Sequence, residues 1–188
     1  MKQTQRPLLQ VLDEASINSL LNAPDLRTRR GRRDKALMSV MAYGGLRIAE
    51  ACSLKYSDIQ YRDEYIRLTF SGKGNKTRTV TLPPQAVSAL ESHLKGVQAG
   101  YIFPGRDGPL KPRMARDIVE QHARTAGLPD WVHPHTLRHS YATFLMRKTG
   151  DLFLVSRVLG HSNTVTTDKY YLSFDASYAD KAAEAWAS

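Results

Sequence analysis

Four short stretches hold residue types that could act together on a phosphodiester. The first is GGLRIAE at 44–50, where Arg47 follows a Gly-Gly break and opens a helix. A helix N-terminus attracts phosphate through free N–H groups and the dipole, and a guanidinium adds a planar fork for two oxygens. Glu50 lies three residues on, on the same helical face, where it could hold that guanidinium or form an ordinary surface ion pair. The second stretch, HPHTLRH at 133–139, puts His135 and Arg138 on one face. One group can move a proton while the other neutralises charge. Three histidines so close together also raise a metal reading. Against it, Arg138 would sit inside the ligand set and repel a cation, and no HExxH pattern is present.

The third stretch is LGHS at 159–162, followed by DKYY at 168–171. It brings His161 and, nine residues later, Tyr170. A tyrosine of ordinary pKa, about 10, is a weak nucleophile at neutral pH unless cations stabilise the developing phenolate. A lone tyrosine of this kind is more often a core residue at a helix end. The fourth is SGKGNKTR at 71–78, a glycine-rich turn carrying Lys73, with Lys76 and Arg78 beside it. Its glycines allow a tight turn and close backbone approach to a ligand. Lys73 could donate a proton to a leaving oxygen or be a solvated turn residue. Lys76 and Arg78 are candidate phosphate contacts.

These residues are scattered, so folded elements must gather them. The chain has 188 residues, 41% of them hydrophobic, enough for one domain with a core. Apolar spacing near 3.6 predicts helices at 12–21 (entered through Asp13), 34–43, 46–53, 84–95, 114–126, 134–148, 151–159, 165–171 and 176–187. Period two marks strands at 65–70 and 77–82, joined as a hairpin, with a third short strand near Ile59. The expectation is a mainly α domain with one small antiparallel sheet, an α+β arrangement. Residues 1–10 form a tail, 11–175 the main domain, and 176–188 a terminal helix.

Composition narrows the partner. There are 27 Lys+Arg against 18 Asp+Glu, for a formal net charge of +9 and a pI near 9.8. Such an excess favours polyanions. No apolar run approaches the roughly 18 residues of a membrane span, and no signal-peptide core is seen at the N-terminus. This predicts a cytoplasmic, nucleic-acid-binding protein, with no membrane partner. The run RTRRGRR at 27–33 offers Arg30, Arg32 and Arg33 as DNA-binding candidates, or else a solvated loop. Cys52 is the single cysteine, so no intrachain disulfide can form, and it reads as a small core residue.

Taken together and in their order along the chain (44–50, 71–78, 133–143, 159–171), the four motifs resemble the tyrosine recombinases, the family of phage integrases, Xer-type resolvases and integron integrases. The resemblance covers nearly the whole chain after about Leu8. It implies the tyrosine recombinase catalytic-domain fold and a site-specific recombinase that cuts and rejoins double-stranded DNA through a 3′-phosphotyrosyl intermediate. It further implies that Arg47 and Arg138 grip the scissile phosphate and that Lys73 is the general acid for the 5′-hydroxyl. His135 would be the proton-transfer histidine, and His161 a further histidine bonding the phosphate. Tyr170 would be the nucleophile, favoured by its motif position over the adjacent Tyr171, and Glu50 a supporting carboxylate. No cofactor, metal or ATP is expected. A homotetramer on DNA is expected, with a monomer possible without DNA, in a prokaryotic cell or encoded by a phage. An apolar stripe of Ala179, Ala182, Ala183 and Trp186 would dock on a neighbouring protomer or fold back on its own domain. Most family members carry a separate N-terminal helical domain. The chain is then either a fragment or a small single-domain recombinase, the size of the fimbrial phase-switch enzymes. Type IB topoisomerase-like relaxation and a non-catalytic DNA-binding regulator of the same fold are the alternatives.

Overall fold

A computed structural model describes residues 10–71 and 77–160. Lys73, Lys76, His161, Tyr170 and Tyr171 lie outside the described residues, as do the expected helices at 165–171 and 176–187 and most of the N-terminal tail.

The first helix, α1 (Glu14–Asn22), starts where Asp13 caps it by accepting from the Ser16 N–H at 2.8 Å. Its Ile17, Leu20 and Leu21 face the core. Helix α2 (Arg29–Gly44) begins earlier than its apolar periodicity suggests. Thr28 accepts from the Gly31 N–H at 2.9 Å, so the basic run 27–33 forms the entry and first turns of a helix rather than a loop before one. Gly31 is needed there, because a Cβ would stand 2.0 Å from the Asp25 carbonyl oxygen. From Ala36 to Ala42 every residue of α2 is buried, which makes it the central helix. The second half of the α2 exit is Gly45, at φ 60°, and a Cβ there would strike the Tyr141 ring at 2.4 Å. This left-handed turn throws the chain straight into α3 (Ile48–Ser53).

The sheet follows in sequence order as β1 (Ile59–Arg62), β2 (Tyr65–Ser71) and β3 (Thr77–Leu82), all antiparallel neighbours. Ile66 pairs with Leu82, Leu68 with Val80 and Phe70 with Arg78. One face of the β2–β3 pair is therefore buried, Arg78 included, and the other is solvated. Helix α4 (Pro84–Leu94) packs on α2. Helices α5 (Pro112–Thr125), α6 (Pro134–Thr149) and α7 (Leu152–Leu159) complete the described chain. α6 packs across α2, and α7 returns against α6 over a small apolar cluster of Ala142, Val155 and Leu159. Gly150 and Gly160, both at positive φ, end α6 and α7. The result is a mainly helical domain with a three-stranded antiparallel sheet, the expected class.

Candidate active site

Three cationic side chains from three different elements converge on one buried carboxylate. Arg47 is the N-cap of α3, and Glu50 in the first turn of that helix reaches back to it. Glu50 Oε2 accepts from the Arg47 backbone N–H at 2.7 Å, and Oε1 accepts from Arg47 Nη1 at 2.8 Å. Arg78, from the buried face of β3, donates through Nη1 to the same Oε2 at 2.5 Å. Arg138, from α6, lies with Nη1 3.9 Å from Oε2. Burial alone would push the Glu50 carboxyl up. The Arg47 backbone N–H, the Arg78 charge and the Arg47 side chain outweigh it and hold the group below the usual carboxylate range.

The arginines also tie together backbone that is distant in sequence. Arg138 donates through Nη1 to the Gly45 carbonyl at 2.5 Å and through Nη2 to the Leu159 carbonyl at 2.7 Å. Arg78 donates through Nη2 to the Val158 carbonyl at 2.7 Å and, more weakly, to Gly45 at 3.4 Å. The last carbonyls of α7 would otherwise lack intrahelical partners. Two guanidinium forks thus fix the end of α7 against the α2–α3 junction. The next residues in the sequence are Gly160 and His161.

Exposure separates the three. The Arg47 side chain keeps 30% of its surface open, against 8% for Arg78 and 8% for Arg138. Arg47 is the open face of the cluster, and the other two lie beneath it. Three guanidinium groups and one carboxylate give this group of four side chains a net positive charge. At an effective dielectric of 20, a unit charge 4 Å from a phosphate charge is worth about 4 kcal/mol. A group of this charge favours an anion.

His135 stands exposed on the first turn of α6, where it feels this field. Partial burial, then the neighbouring His133, Arg138, Arg116 and Arg47, hold its imidazole below the ordinary value of about 6.5. The ring is thus neutral at pH 7, able to accept a proton. Its neighbours His133 and His139 lie at ring-centroid distances of 6.0 and 6.5 Å. Among the described residues, no group of three or more His, Cys, Asp or Glu side chains is placed to share a metal ion. Cys52 is buried in the core, and burial pushes its thiol up to about 11.

The structure brings Arg47, Glu50 and Arg138 together, and His135 feels the charges of both arginines. Arg78, the candidate phosphate contact of the hairpin, has its guanidinium buried and hydrogen-bonded to Glu50, Gly45 and Val158. The signal was in the alternation, because Arg78 shares its strand face with Val80 and Leu82. The basic run at 27–33 lies apart from this cluster in the bonds it makes. Arg33 pairs with Asp34 at 2.6 Å, Arg32 donates to the Leu26 and Arg27 carbonyls, and Arg30 is exposed. Among the described residues no helix is long and apolar enough to cross a membrane.

Comparison with known proteins bears on the family and the fold. The model of the phage integrase family matches residues 10–177. The tyrosine recombinase XerD of Pseudomonas putida is 37% identical over 179 residues, covering 90% of this chain and 59% of XerD. XerC of Xylella fastidiosa is 34% identical over 184 residues, covering 96% of this chain and 61% of XerC. The chain thus spans about three fifths of the curated relatives it matches. In three dimensions it resembles the site-specific recombinase XerH, solved bound to palindromic difH substrate as a post-cleavage complex. The TM-score is 0.79 at 27% identity, over 96% of this chain and 54% of that one. The chain belongs to the phage integrase family.

Proposed function

We propose that this chain is the catalytic domain of a site-specific tyrosine recombinase acting on double-stranded DNA. The observation that carries the proposal is the convergence of Arg47, Arg78 and Arg138 on one buried carboxylate, with a neutral His135 beside them. The resemblance of sequence and fold to XerD, XerC and XerH supports it.

In the proposed reaction the Tyr170 phenol oxygen attacks the scissile phosphorus. A bond forms between that oxygen and phosphorus, and the bond from phosphorus to the 5′ oxygen breaks. Arg47 contacts the phosphate from the open face of the cluster, and Arg138 supports and neutralises it from below. His135 moves the proton of the phenol, Lys73 supplies one to the leaving 5′ oxygen, and His161 bonds the phosphate. The phosphodiester energy is retained in the phosphotyrosine, so rejoining is the same step run backwards with another strand's 5′-hydroxyl. That chemistry needs neither ATP nor a metal. Positive side chains supply here what metal ions supply in many nucleases. Glu50 holds Arg47 in register.

The phosphate backbone would dominate affinity, with Lys76, Arg30, Arg32 and Arg33 as further contacts. DNA binding should therefore weaken steeply between low and high salt, and affinity that ignores salt would contradict a phosphate-led interface. Residues 11–175 are the proposed catalytic unit, working in the cytoplasm as a tetramer on DNA. The terminal helix, with its Ala179, Ala182, Ala183 and Trp186 stripe, would dock on a neighbouring protomer. A groove of about 340 Å³ lined by Leu12, Ile17, Tyr43 and Phe144 is one apolar seat of matching character.

A supercoiled plasmid with paired target sites tests the reading. Recombinant circles that disappear with Tyr170→Phe but persist with Tyr171→Phe are expected. Relaxation without exchange would point to topoisomerase-like activity, and binding without any strand cleavage to a non-catalytic regulator.

A further inference from the structure

Arg78 belongs to none of the catalytic roles assigned above, yet it is the residue on which the cluster closes. Its position on β3 is unusual: an arginine on the apolar face, opposite Phe70, with its guanidinium 5.9 Å from that ring centroid. A guanidinium buried to this degree is unfavourable unless its donors are satisfied. Here Nη1 is directed to Glu50 Oε2 and Nη2 to the Val158 and, more weakly, the Gly45 carbonyl, while the buried Nε has no partner among the described residues. Glu50 Oε2 already accepts the Arg47 backbone N–H, and its other oxygen holds Arg47 Nη1. Arg78 therefore fixes the rotation of the one carboxylate that orients Arg47. Through Gly45 it shares an acceptor with Arg138, and through Val158 it holds the carbonyl next to the one Arg138 holds.

We infer that Arg78 is a positioning residue for strand cleavage, setting Arg47 through Glu50 and setting Arg138 through the shared α7 and Gly45 carbonyls. It never contacts the phosphate. The inference rests on the recombinase reading for its catalytic part, and on the hydrogen bonds alone for its geometric part. A planar fork is required, because the acceptors lie in different directions, and an ammonium offers a single point of charge.

The test compares the full chain with Arg78→Lys and Arg78→Gln, normalising to the folded fraction by circular dichroism. Single-turnover cleavage of nicked target DNA should fall about 30- to 100-fold, the scale expected when a catalytic group is displaced by about 1 Å. Affinity for intact target DNA should stay within about threefold, since the side chain is 8% exposed. Cleavage unchanged within threefold would overturn the inference. So would a loss of cleavage that merely tracks the folded fraction, which is the signature of a core strut. Side-chain NMR of the Arg47 guanidinium gives a readout independent of activity. An ordered Arg47 Nη resonance in the parent chain should broaden or shift in Arg78→Lys, and an unchanged resonance would overturn the inference. If the parent chain forms no covalent adduct, the recombinase reading fails by itself, while the NMR comparison still decides the geometric claim.

Discussion

The central helix α2 has a buried carboxylate near each end, and the two are balanced differently. At its start Asp34 is 4% exposed and pairs with Arg33 at 2.6 Å and with His122 of α5 at 3.2 Å. Beyond its end Glu50 is 6% exposed and serves Arg47, Arg78 and, at longer range, Arg138. Burial opposes ionisation at both, and hydrogen bonds from the partners win at both. The Asp34 node has one permanent cation and a histidine, and it ties two helices together. The Glu50 node has three permanent cations, and Nη donors of Arg78 and Arg138 also hold backbone at the ends of α2 and α7. The Asp34 node reads as a structural joint. The Glu50 node, open at Arg47, favours an anion.

Substitutions can break this contrast. The largest effect is expected from Arg138→Ala. It leaves the Leu159 carbonyl without its buried donor and the Gly45 carbonyl with only the long Arg78 bond, with a stability loss of about 3–5 kcal/mol in denaturant titration. Cleavage per folded molecule should drop about 100- to 1,000-fold, as for loss of a charge-stabilising donor. Arg47→Ala should cost cleavage about 100-fold, yet stability only about 1 kcal/mol or less, because this side chain is the open one. A large stability loss there with cleavage intact would reverse the roles of the open and buried arginines.

Asp34→Asn sharpens the comparison from the other end. It should lower stability by about 1–3 kcal/mol through the weakened Arg33 and His122 contacts, while cleavage per folded molecule stays within about threefold. Collapse of cleavage would mean that the two nodes are coupled. The smallest expected effect is a pH dependence. His133, His135 and His139 are held below the ordinary imidazole value, burial being the first cause at each. Between the lowered folded values and about 6.5, the unfolded chain binds more protons than the folded one. Stability is thus full above about pH 6.5 and declines as the pH falls below it. The melting temperature should fall by a few degrees from pH 7.5 to 5.5, with half-buried His139 contributing more than exposed His135. The two carboxylates, held below their usual range, add nothing in that window, and a flat profile would contradict the histidine shifts.

Much of this was legible in the residues. The cap at Asp13, the Gly-Gly exit of α2, the hairpin strands and the Pro134 start of α6 follow from local chemistry that the fold does not override. Arg47, Glu50, His135 and Arg138 can be named from their motifs, although only the fold shows that Arg47 and Arg138 share the Glu50 carboxylate with Arg78. The start of α2 was misplaced because arginines at a helix N-terminus oppose its dipole. The Thr28 cap and the Asp34 carboxylate compensate, and neither stands out beside five arginines. The charge of Arg78 makes it a candidate phosphate contact in the sequence, while its strand face, shared with Val80 and Leu82, points to burial. Its partners at Gly45 and Val158 are 33 and 80 residues away, beyond any local pattern.

The most direct measurement is to trap the full chain on nicked suicide DNA and identify the joined residue and nucleotide by peptide mass spectrometry. The account predicts a single adduct, Tyr170 bonded to a 3′-phosphate, that is absent in Tyr170→Phe and reduced in Arg138→Ala. An adduct on another residue, a 5′-phosphate linkage, or no adduct from the unsubstituted protein would contradict it.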